Sequence, residues 1–531
     1  MDESISAKGR NKGKSKKLII FILTGILIIG GSVAAFVLLN LSDKQKYFLA
    51  EKNSAEFIEE QIKDRMETEL SWQEKTKENP TETTIELAAA YNDPAANLSN
   101  LGPAQIINNS TLTIKNALDT EKKKMATEIS GDFGGITIDG LNLYLTSEKL
   151  LVQLPFLQEL LLVNEGDVSK LLNQIDPQTY SGEEKVEFDK LFNGSNVLPE
   201  DDQEYLKEEY LKMLYDKLPD SAFKTTDEKI EVNSNTIDAE KITFHLTEKE
   251  LKDLLITTME KMKEDERFIE ILREQLEMQF LGAGSSLTPS VETNIDSMVA
   301  EFDASMEDAI NGLEKLQIPD GLTSIIWTNN DLIVKRDFAL SMGPSKDKIV
   351  TLNVDGTQLF NETEQTFDYK LGFEENGEKS DVTVTGDLSW KDNSAKDSIK
   401  LASSEGELTY EGTSTVDDGT KEFERNFTLK TGQEKGGITW TGNAEYQEEA
   451  MNAEHEISIQ LPGMAEDIVS LQLENESNLV KQVDIPEDSQ TKDIGGMDIN
   501  ALTQYIQKEV TPQFQQWLFG ILGSGGGLNG F

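Results

Sequence analysis

The 531-residue sequence contains no cysteine and only two histidines, His245 and His455. The absence of cysteine excludes disulfide bonds, thiol catalysis, cysteine-ligated zinc and a lipid-modified N-terminal cysteine. Since histidine is nearly absent too, histidine-based metal sites and catalytic triads are not expected. Both histidines occupy strand-like segments, and neither lies beside a serine or a set of metal ligands. The sequence therefore predicts no catalytic residue, no metal and no cofactor.

Basic residues are also in short supply, because 50 Lys and Arg face 97 Asp and Glu, for a net charge of −47. A surface this acidic repels nucleic acid, so no nucleic-acid partner is expected. Among so many carboxylates, finding a catalytic acid pair carries no information. No GxSxG, P-loop, HExxH or dinucleotide motif occurs either. We therefore expect a protein that is not an enzyme.

One long uncharged run stands out, namely the 24 residues 18–41. A helix needs about 20 apolar residues to cross a bilayer core. Six basic and two acidic residues precede the run, so the N-terminus is expected in the cytoplasm and the rest outside it. A cleaved signal peptide is the alternative, but the run exceeds the roughly 7–15 residues of such a peptide's apolar region. The sequence predicts a single-pass protein of the cell membrane, in contact with the bilayer through residues 18–41.

The periodicity of the remaining chain predicts several segments. Apolar residues three and four apart indicate a helix over 43–79 that docks on the body of the protein, and Pro80 ends it. Strand-like alternation follows, and then helical periodicity between residues 156 and 315, before strands return. The predicted division is a basic cytoplasmic tail (1–17), an anchor (18–41), a juxtamembrane helix (42–80), a strand block with a helical insertion (81–320), an antiparallel meander (321–487) and a C-terminal helix with a glycine-rich tail (488–531).

Dipeptides typical of turns occur between the strands of the predicted meander. Asp355-Gly356, Asn376-Gly377, Asp418-Gly419 and Gly436-Gly437 are typical of hairpin turns between long antiparallel strands. Residues 351–362 partly match a calcium-binding loop, but Thr351 and Leu359 stand where oxygen ligands are needed. A hairpin turn at Asp355-Gly356 is therefore favoured over a calcium site.

A second apolar stretch, residues 150–163, is the candidate ligand site. It could line a groove for an acyl chain or another apolar ligand. An ordinary core segment is the alternative, and the pattern favours it. The candidate groove residues are Leu150, Val152, Leu154, Phe156, Leu157, Leu160 and Leu161.

The block order of strands, helices and strands resembles the half-barrels of bacterial lipoprotein carriers. The segments 141–145, 150–155 and 242–255 bear this resemblance, although the chain lacks their cysteine and is about twice their size. The chain as a whole also resembles singly anchored envelope proteins of Gram-positive bacteria. The expected fold class is α+β, with an N-terminal transmembrane helix and then a large, curved, half-barrel-like antiparallel sheet covered by amphipathic helices.

Two non-enzymatic functions follow as expectations. The first is an anchored, extracytoplasmic protein whose half-barrel groove binds a lipid or another apolar ligand. The alternative is a scaffolding ectodomain whose acidic surface binds a basic envelope protein or a cell-wall component. The sequence leaves open whether its strands form one sheet or two half-barrels.

Overall fold

The computed structural model describes residues 41–91, 103–177, 180, 182, 186–192, 198–282, 289–375, 377–463, 468–487 and 490–524. The predicted tail 1–17, the anchor 18–41 apart from Leu41, and the final residues 525–531 lie outside the described residues. Within the described ranges, no helix combines the length and the apolar character needed to cross a membrane.

Twenty strands form one sheet. Their bounds are β1 Thr81–Tyr91, β2 Ser110–Asp119, β3 Lys124–Phe133, β4 Ile136–Thr146, β5 Lys149–Gln153, β6 Leu160–Asn164, β7 Phe223–Val232, β8 Asn235–Leu246, β9 Leu322–Asn329, β10 Leu332–Met342, β11 Val350–Phe360, β12 Glu364–Glu375, β13 Glu378–Lys391, β14 Ser394–Ser403, β15 Glu407–Asp417, β16 Thr420–Thr431, β17 Glu434–Tyr446, β18 Ala450–Gln460, β19 Val469–Leu479 and β20 Thr491–Asp493.

Helices flank this sheet. Their bounds are α1 Asp43–Arg65, α2 Glu67–Glu78, α3 Pro103–Asn108, α4 Val168–Ile175, α5 Glu200–Leu206, α6 Lys212–Lys217, α7 Glu248–Glu264, α8 Glu266–Gly282, α9 Pro289–Lys315, α10 Ile499–Tyr505 and α11 Thr511–Ser524. A π-helical turn, Ile506–Val510, joins α10 to α11, so the chain stays helical through Pro512.

Strand pairing makes the sheet one long meander. Antiparallel neighbours run from β7 through β19 in chain order. The N-terminal strand β1 then pairs with β19 along its whole length, from Thr81 opposite Leu479 to Tyr91 opposite Val469. Strands β2 to β6 continue beyond β1, and β20 adds a short parallel strand to β6. The two strand blocks of the sequence are thus a single sheet.

Tight hairpins connect many neighbouring strands. Asp418 and Gly419 have φ angles of 46° and 80°, and Asp392 and Asn393 have 50° and 58°. These positive values fit two-residue turns, which Asn, Asp and Gly adopt most readily. The predicted turns at Asp355-Gly356 and Gly436-Gly437 are wrong, because both pairs lie inside strands, β11 and β17. The calcium loop considered over 351–362 is likewise mostly strand β11.

The sheet has two chemically different faces. In β16, one face carries Lys421, Phe423, Arg425, Phe427 and Leu429, and the intervening residues are mostly polar. Cross-strand register extends this apolar face over nine strands in one row, Phe367, Gly386, Ile399, Tyr410, Phe427, Ile438, Ile459, Val469 and Tyr91. We call this side the inner face and the polar side the outer face.

The helices cover the inner face unevenly. Helices α1, α7 and α9 form the main core with strands β8 to β10, where Leu255, Ala309 and Ile326 are fully buried. Helix α4 and the segment Phe188–Phe192 form a smaller core beside β4 to β6. The predicted fold class is therefore wrong: no described helix spans a membrane, and the helices of residues 156–315 cover the ends of one twenty-stranded sheet and leave its middle open.

Candidate functional site

Helices α1 and α2 cross the strands of the inner face. Together, residues 43–78 rise about 54 Å at 1.5 Å per residue. The thirteen strands from β8 to β1 span about 58 Å at roughly 4.8 Å per spacing. The two lengths match, so one helical pair reaches across most of the meander. We call it the cross-helix.

Ion pairs fix the cross-helix to charged residues of the inner face. Arg336 of β10 donates two hydrogen bonds to the Glu51 carboxylate, at 2.8 and 2.6 Å. Arg65 contacts Asp397 of β14 at 2.8 Å, and Lys421 of β16 pairs with Glu69. Glu51 raises the pKa of Arg336 despite its burial. Burial opposes ionisation of Glu69, but hydrogen bonds from Lys421 and Thr68 leave its pKa lowered.

Apolar contacts continue this attachment along the cross-helix. Tyr47 donates to or accepts from Ser324 of β9 at 2.8 Å and is 5% exposed. Phe57 stacks on Phe360 of β11, with ring centroids 5.5 Å apart. Trp72 is buried against Ala444, Met451 and Ala453 of β17 and β18. The cross-helix therefore covers the ends of the strands at one side of the inner face.

The middle of the inner face stays open beside the cross-helix. Seven large apolar side chains there are between 39% and 54% exposed. They occupy β12, β14, β15, β16, β17 and β19, and cross-strand register places Leu401, Leu408 and Leu429 in one row. We call this set the open apolar strip: Leu371, Phe373, Leu401, Leu408, Leu429, Ile438 and Leu471.

Seven large, exposed apolar side chains on one face of a sheet are an unusual feature. Contiguous apolar patches on soluble monomers rarely exceed a few hundred Å², and larger ones mark contact surfaces. Leaving a Leu or Ile side chain in water instead of burying it costs about 1.5–3 kcal/mol. The open apolar strip is therefore the candidate functional site.

A cationic and aromatic cluster borders the open apolar strip. The guanidinium carbon of Arg425 lies 4.5 Å from the ring centroid of Phe423 and 4.7 Å from that of Trp440. The ring of His455 lies 5.8 Å from each of the same two rings. We call Phe423, Arg425, Trp440 and His455 the Arg425 cluster. Burial, and then the charge of Arg425, lower the pKa of His455.

The outer face offers a different candidate. An open depression of about 640 Å³ is lined mostly by outer-face residues, including Glu422, Glu424, Glu454, Glu456 and Glu474, and it also touches Phe423 and His455 of the Arg425 cluster. Within the described part of the chain, no group of three or more acidic or histidine side chains is arranged to hold a metal ion.

The predicted groove residues lie elsewhere, at the β4 to β6 end of the sheet. Leu150, Val152 and Leu161 are neighbours across β5 and β6 on the inner face. Phe156 contacts Phe514 and Trp517 of α11, at centroid distances of 5.2 and 5.7 Å. Leu157 is 6% exposed, and Leu154 and Leu160 are half-buried. The structure brings part of the set together, but packs it against the chain's own helices.

Sequence reasoning missed the open apolar strip for a specific reason. Strands β14 and β15, which carry Leu401 and Leu408, were not predicted, because serine, lysine and glutamate interrupt their apolar residues. A strict alternation is nevertheless present at Ala395, Asp397, Ile399 and Leu401. Allowing one charged residue in the alternating pattern would have found β14.

Comparisons with known proteins assign no family. Neither a protein-family model nor a curated protein matches the chain. Among solved structures, it is similar to Pseudomonas aeruginosa OccK3 (OpdO), Acinetobacter baumannii OccAB2 and the outer membrane protein OpdK of Pseudomonas aeruginosa, with 6%, 8% and 7% sequence identity and TM-scores of 0.24, 0.24 and 0.22. The matches cover 75%, 75% and 76% of this chain and 94%, 97% and 98% of those chains. TM-scores this low assign neither a fold family nor a function.

These findings contradict several predictions. The resemblance to Gram-positive envelope proteins and lipoprotein carriers is wrong, because no family model or curated relative supports it. The predicted single-pass location in the cell membrane is contradicted, since within the described residues no helix is long and apolar enough to span a membrane. The functions built on that location, lipid binding by an anchored half-barrel or scaffolding through the acidic surface, are wrong with it. The partners predicted from that location are wrong as well, namely the bilayer through residues 18–41, an apolar ligand and an envelope protein.

Proposed function

We propose that this protein is a non-enzymatic binding protein that holds an amphipathic helix of a partner polypeptide on its open apolar strip. The observation that carries the proposal is the strip itself, seven exposed apolar side chains on six of the eight strands from β12 to β19 in an otherwise acidic molecule. Apolar area of this kind is stabilised by a partner that removes it from water.

The cross-helix supports a helical occupant. The inner face already binds one helix laid across its strands, through Trp72, Phe57 and Tyr47. The open apolar strip runs parallel to that helix, from β12 to β19. Seven strand spacings of about 4.8 Å give a length of about 34 Å, which a helix of roughly 22 residues matches at 1.5 Å per residue. A second helix therefore fits beside the first.

The openness of the strip favours a macromolecule over a small molecule. Small-molecule sites are concave and bury most of the ligand. Two depressions in the described part of the chain are lined mostly by outer-face residues and by residues of β7, β8 and β9, and neither lining includes a residue of the strip. An open apolar surface suits an amphipathic helix, whose apolar side chains at i, i+3, i+4 and i+7 make the contacts.

The test measures binding of a defined peptide to the full-length protein. The probe is a labelled 22-residue helix with leucine on one face and lysine and glutamine on the other, followed by fluorescence anisotropy. Leu408→Gln combined with Leu429→Gln removes two cross-strand neighbours of the strip, and we expect affinity to fall at least tenfold, since each buried leucine contributes about 1.5–3 kcal/mol.

The matched control lies on the same two strands. Thr409 and Thr428 are also cross-strand neighbours, but they are on the outer face, so Thr409→Gln combined with Thr428→Gln should leave affinity unchanged. A scrambled peptide of identical composition should bind poorly. The proposal would be contradicted if both peptides bound equally well, or if both double variants lost affinity equally. It would also be contradicted if the protein were self-associated and dissociated only when Leu408 and Leu429 are changed.

A further inference from the structure

Arg425 differs from the other cations of the inner face in lacking an acidic partner. Arg336 and Lys421 pair with Glu51 and Glu69 of the cross-helix. Within the described residues, no carboxylate oxygen is recorded within 4.0 Å of the Arg425 guanidinium. An unpaired arginine is unexpected in a chain with 97 acidic and 50 basic residues.

The carboxylate nearest in register is already engaged. Asp397 shares a cross-strand row with Arg425, with Gly412 of β15 between them. The Asp397 carboxylate accepts a hydrogen bond from Arg65 at 2.8 Å. The hydroxyl of Tyr410 fills the space over Gly412, since a Cβ there would lie 2.3 Å from it. Arg425 is therefore separated from Asp397 and turns to the aromatic rings of Phe423 and Trp440.

The rings around Arg425 hold further unused polar atoms. Nε1 of Trp440 and Nδ1 of His455 are both buried without a hydrogen-bond partner. A buried N–H without a partner is rarer and costlier than an unused acceptor. The proton of neutral His455 is therefore expected on Nε2, which leaves Nδ1 as the unused acceptor against Gly442. Among the described residues, the cluster thus offers one cation and one buried N–H donor without a partner, Nε1 of Trp440, and contains no anion.

We propose that the Arg425 cluster is a binding site for a carboxylate. The planar guanidinium fork of arginine matches the two oxygens of a carboxylate, and the buried Nε1–H of Trp440, whose ring lies against the guanidinium, is an additional donor. The apolar rings lower the local dielectric and strengthen such a contact. The carboxylate comes either from a free small molecule or from an acidic side chain of a bound polypeptide. The site is independent of the proposed function, because it is argued from the cluster alone.

The test follows Trp440 in the full-length protein labelled with 5-fluorotryptophan. The chain has five tryptophans, so Trp440→Phe assigns the signal by its disappearance. Benzoate should shift this ¹⁹F signal saturably, whereas benzamide, its neutral analogue, should not. Arg425→Gln should weaken benzoate binding at least tenfold, and Arg425→Lys should restore only part of it. Since Arg425 makes no ion pair, its removal leaves no buried unpaired carboxylate, and the thermal midpoint of each variant checks folding.

The control removes an arginine elsewhere. Arg273 contacts Asp296 at 2.6 Å on the protein surface, and Arg273→Gln should leave the benzoate titration unchanged. Equal shifts by benzamide, or undiminished binding in Arg425→Gln, would overturn the site.

Acetate and the helical peptide with one Gln→Glu substitution identify the source of the anion. A response to acetate indicates a free carboxylate, whereas a response to the acidic peptide alone indicates a side chain. Loss of peptide binding with benzoate binding intact would refute the proposed function and leave this site standing.

Discussion

Close approach of strands at Gly442 shapes the inner face at the scale of single residues. A Cβ at this position would lie 2.6 Å from Nδ1 of His455 and 2.8 Å from the carbonyl oxygen of Glu454. The backbone oxygen cannot move without breaking the ladder between β17 and β18. Glycine is therefore required at position 442 because there is no room for a Cβ atom. Its backbone conformation does not require glycine, since its φ is not in the left-handed region.

We expect Gly442→Ala to destabilise the protein by about 1–3 kcal/mol, the usual cost of overpacking. The measurement is the midpoint of thermal unfolding. Gly312 is the matched control, because nothing lies within 4 Å of a Cβ built there and helix α9 favours alanine by up to about 1 kcal/mol. A Gly442→Ala protein as stable as the parent would show that the strands separate more easily than the structure indicates.

His455 makes stability depend on pH. Burial and Arg425 lower its pKa in the folded protein from the ordinary 6.5. The unfolded chain therefore binds a proton in a range where the folded protein does not, so this contribution to stability is lost as pH falls below about 6.5. We expect His455→Gln to flatten the pH dependence of the unfolding midpoint between about pH 6.5 and 5.

Imidazole NMR checks the same prediction directly, since the chain has only two histidines. His245→Gln assigns the pair, and the His455 resonance should titrate below pH 6.5. A midpoint at or above 6.5 would show that the ring is not desolvated. The sequence placed His455 on a strand, and it lies in β18. Alternation gives the two faces of a strand, and only the packing of Phe423 and Trp440 shows which face buries an imidazole.

Attachment of the cross-helix to the sheet is the main feature at the scale of elements. The Arg336–Glu51 pair is partly shielded, with side chains 23% and 13% exposed. Removing one partner leaves the other charge with poor solvation. We expect Glu51→Gln and Arg336→Gln each to cost about 3 kcal/mol, the lower end of the range for buried pairs.

The double variant Glu51→Gln with Arg336→Gln distinguishes the cost of leaving one charge unpaired from the cost of changing the packing. It should be more stable than either single variant, because no unpaired charge remains. Glu59→Gln is the control, since the Lys63–Glu59 pair is 61% and 62% exposed and should leave the unfolding midpoint unchanged. Additive losses in the double variant would show that Arg336 and Glu51 act independently.

Elements with a strong local signal could be predicted from the sequence. The helix expected over 43–79 exists as α1 and α2, since apolar spacing and Pro80 define it locally. Helix α7 lies in the region 156–315, where helical periodicity was predicted, and a capping box of Thr247 and Glu250 begins it. Turn dipeptides were less informative, because glycines at 356 and 436 serve close packing within strands instead of turns.

At the scale of the whole molecule, the order of the strands could not be predicted. Strand β1 pairs with β19, and their residues are separated by nearly the entire described chain. Such pairing leaves no local pattern, because any two alternating strands can pair in principle. The open apolar strip escaped prediction for the same reason. Each strand shows only its own alternation, and an exposed surface emerges only when the positions of all helices are known.

The cross-helix also ties the width of the sheet to the length of one helix. Adding a hairpin between β14 and β16 would widen the sheet by about 9.6 Å, or two strand spacings. About six more helical residues would then be needed between Arg65 and Glu69 to keep both in register with Asp397 and Lys421. The number of strands and the length of the cross-helix can therefore change only together, so the length of the cross-helix limits the number of strands in the sheet.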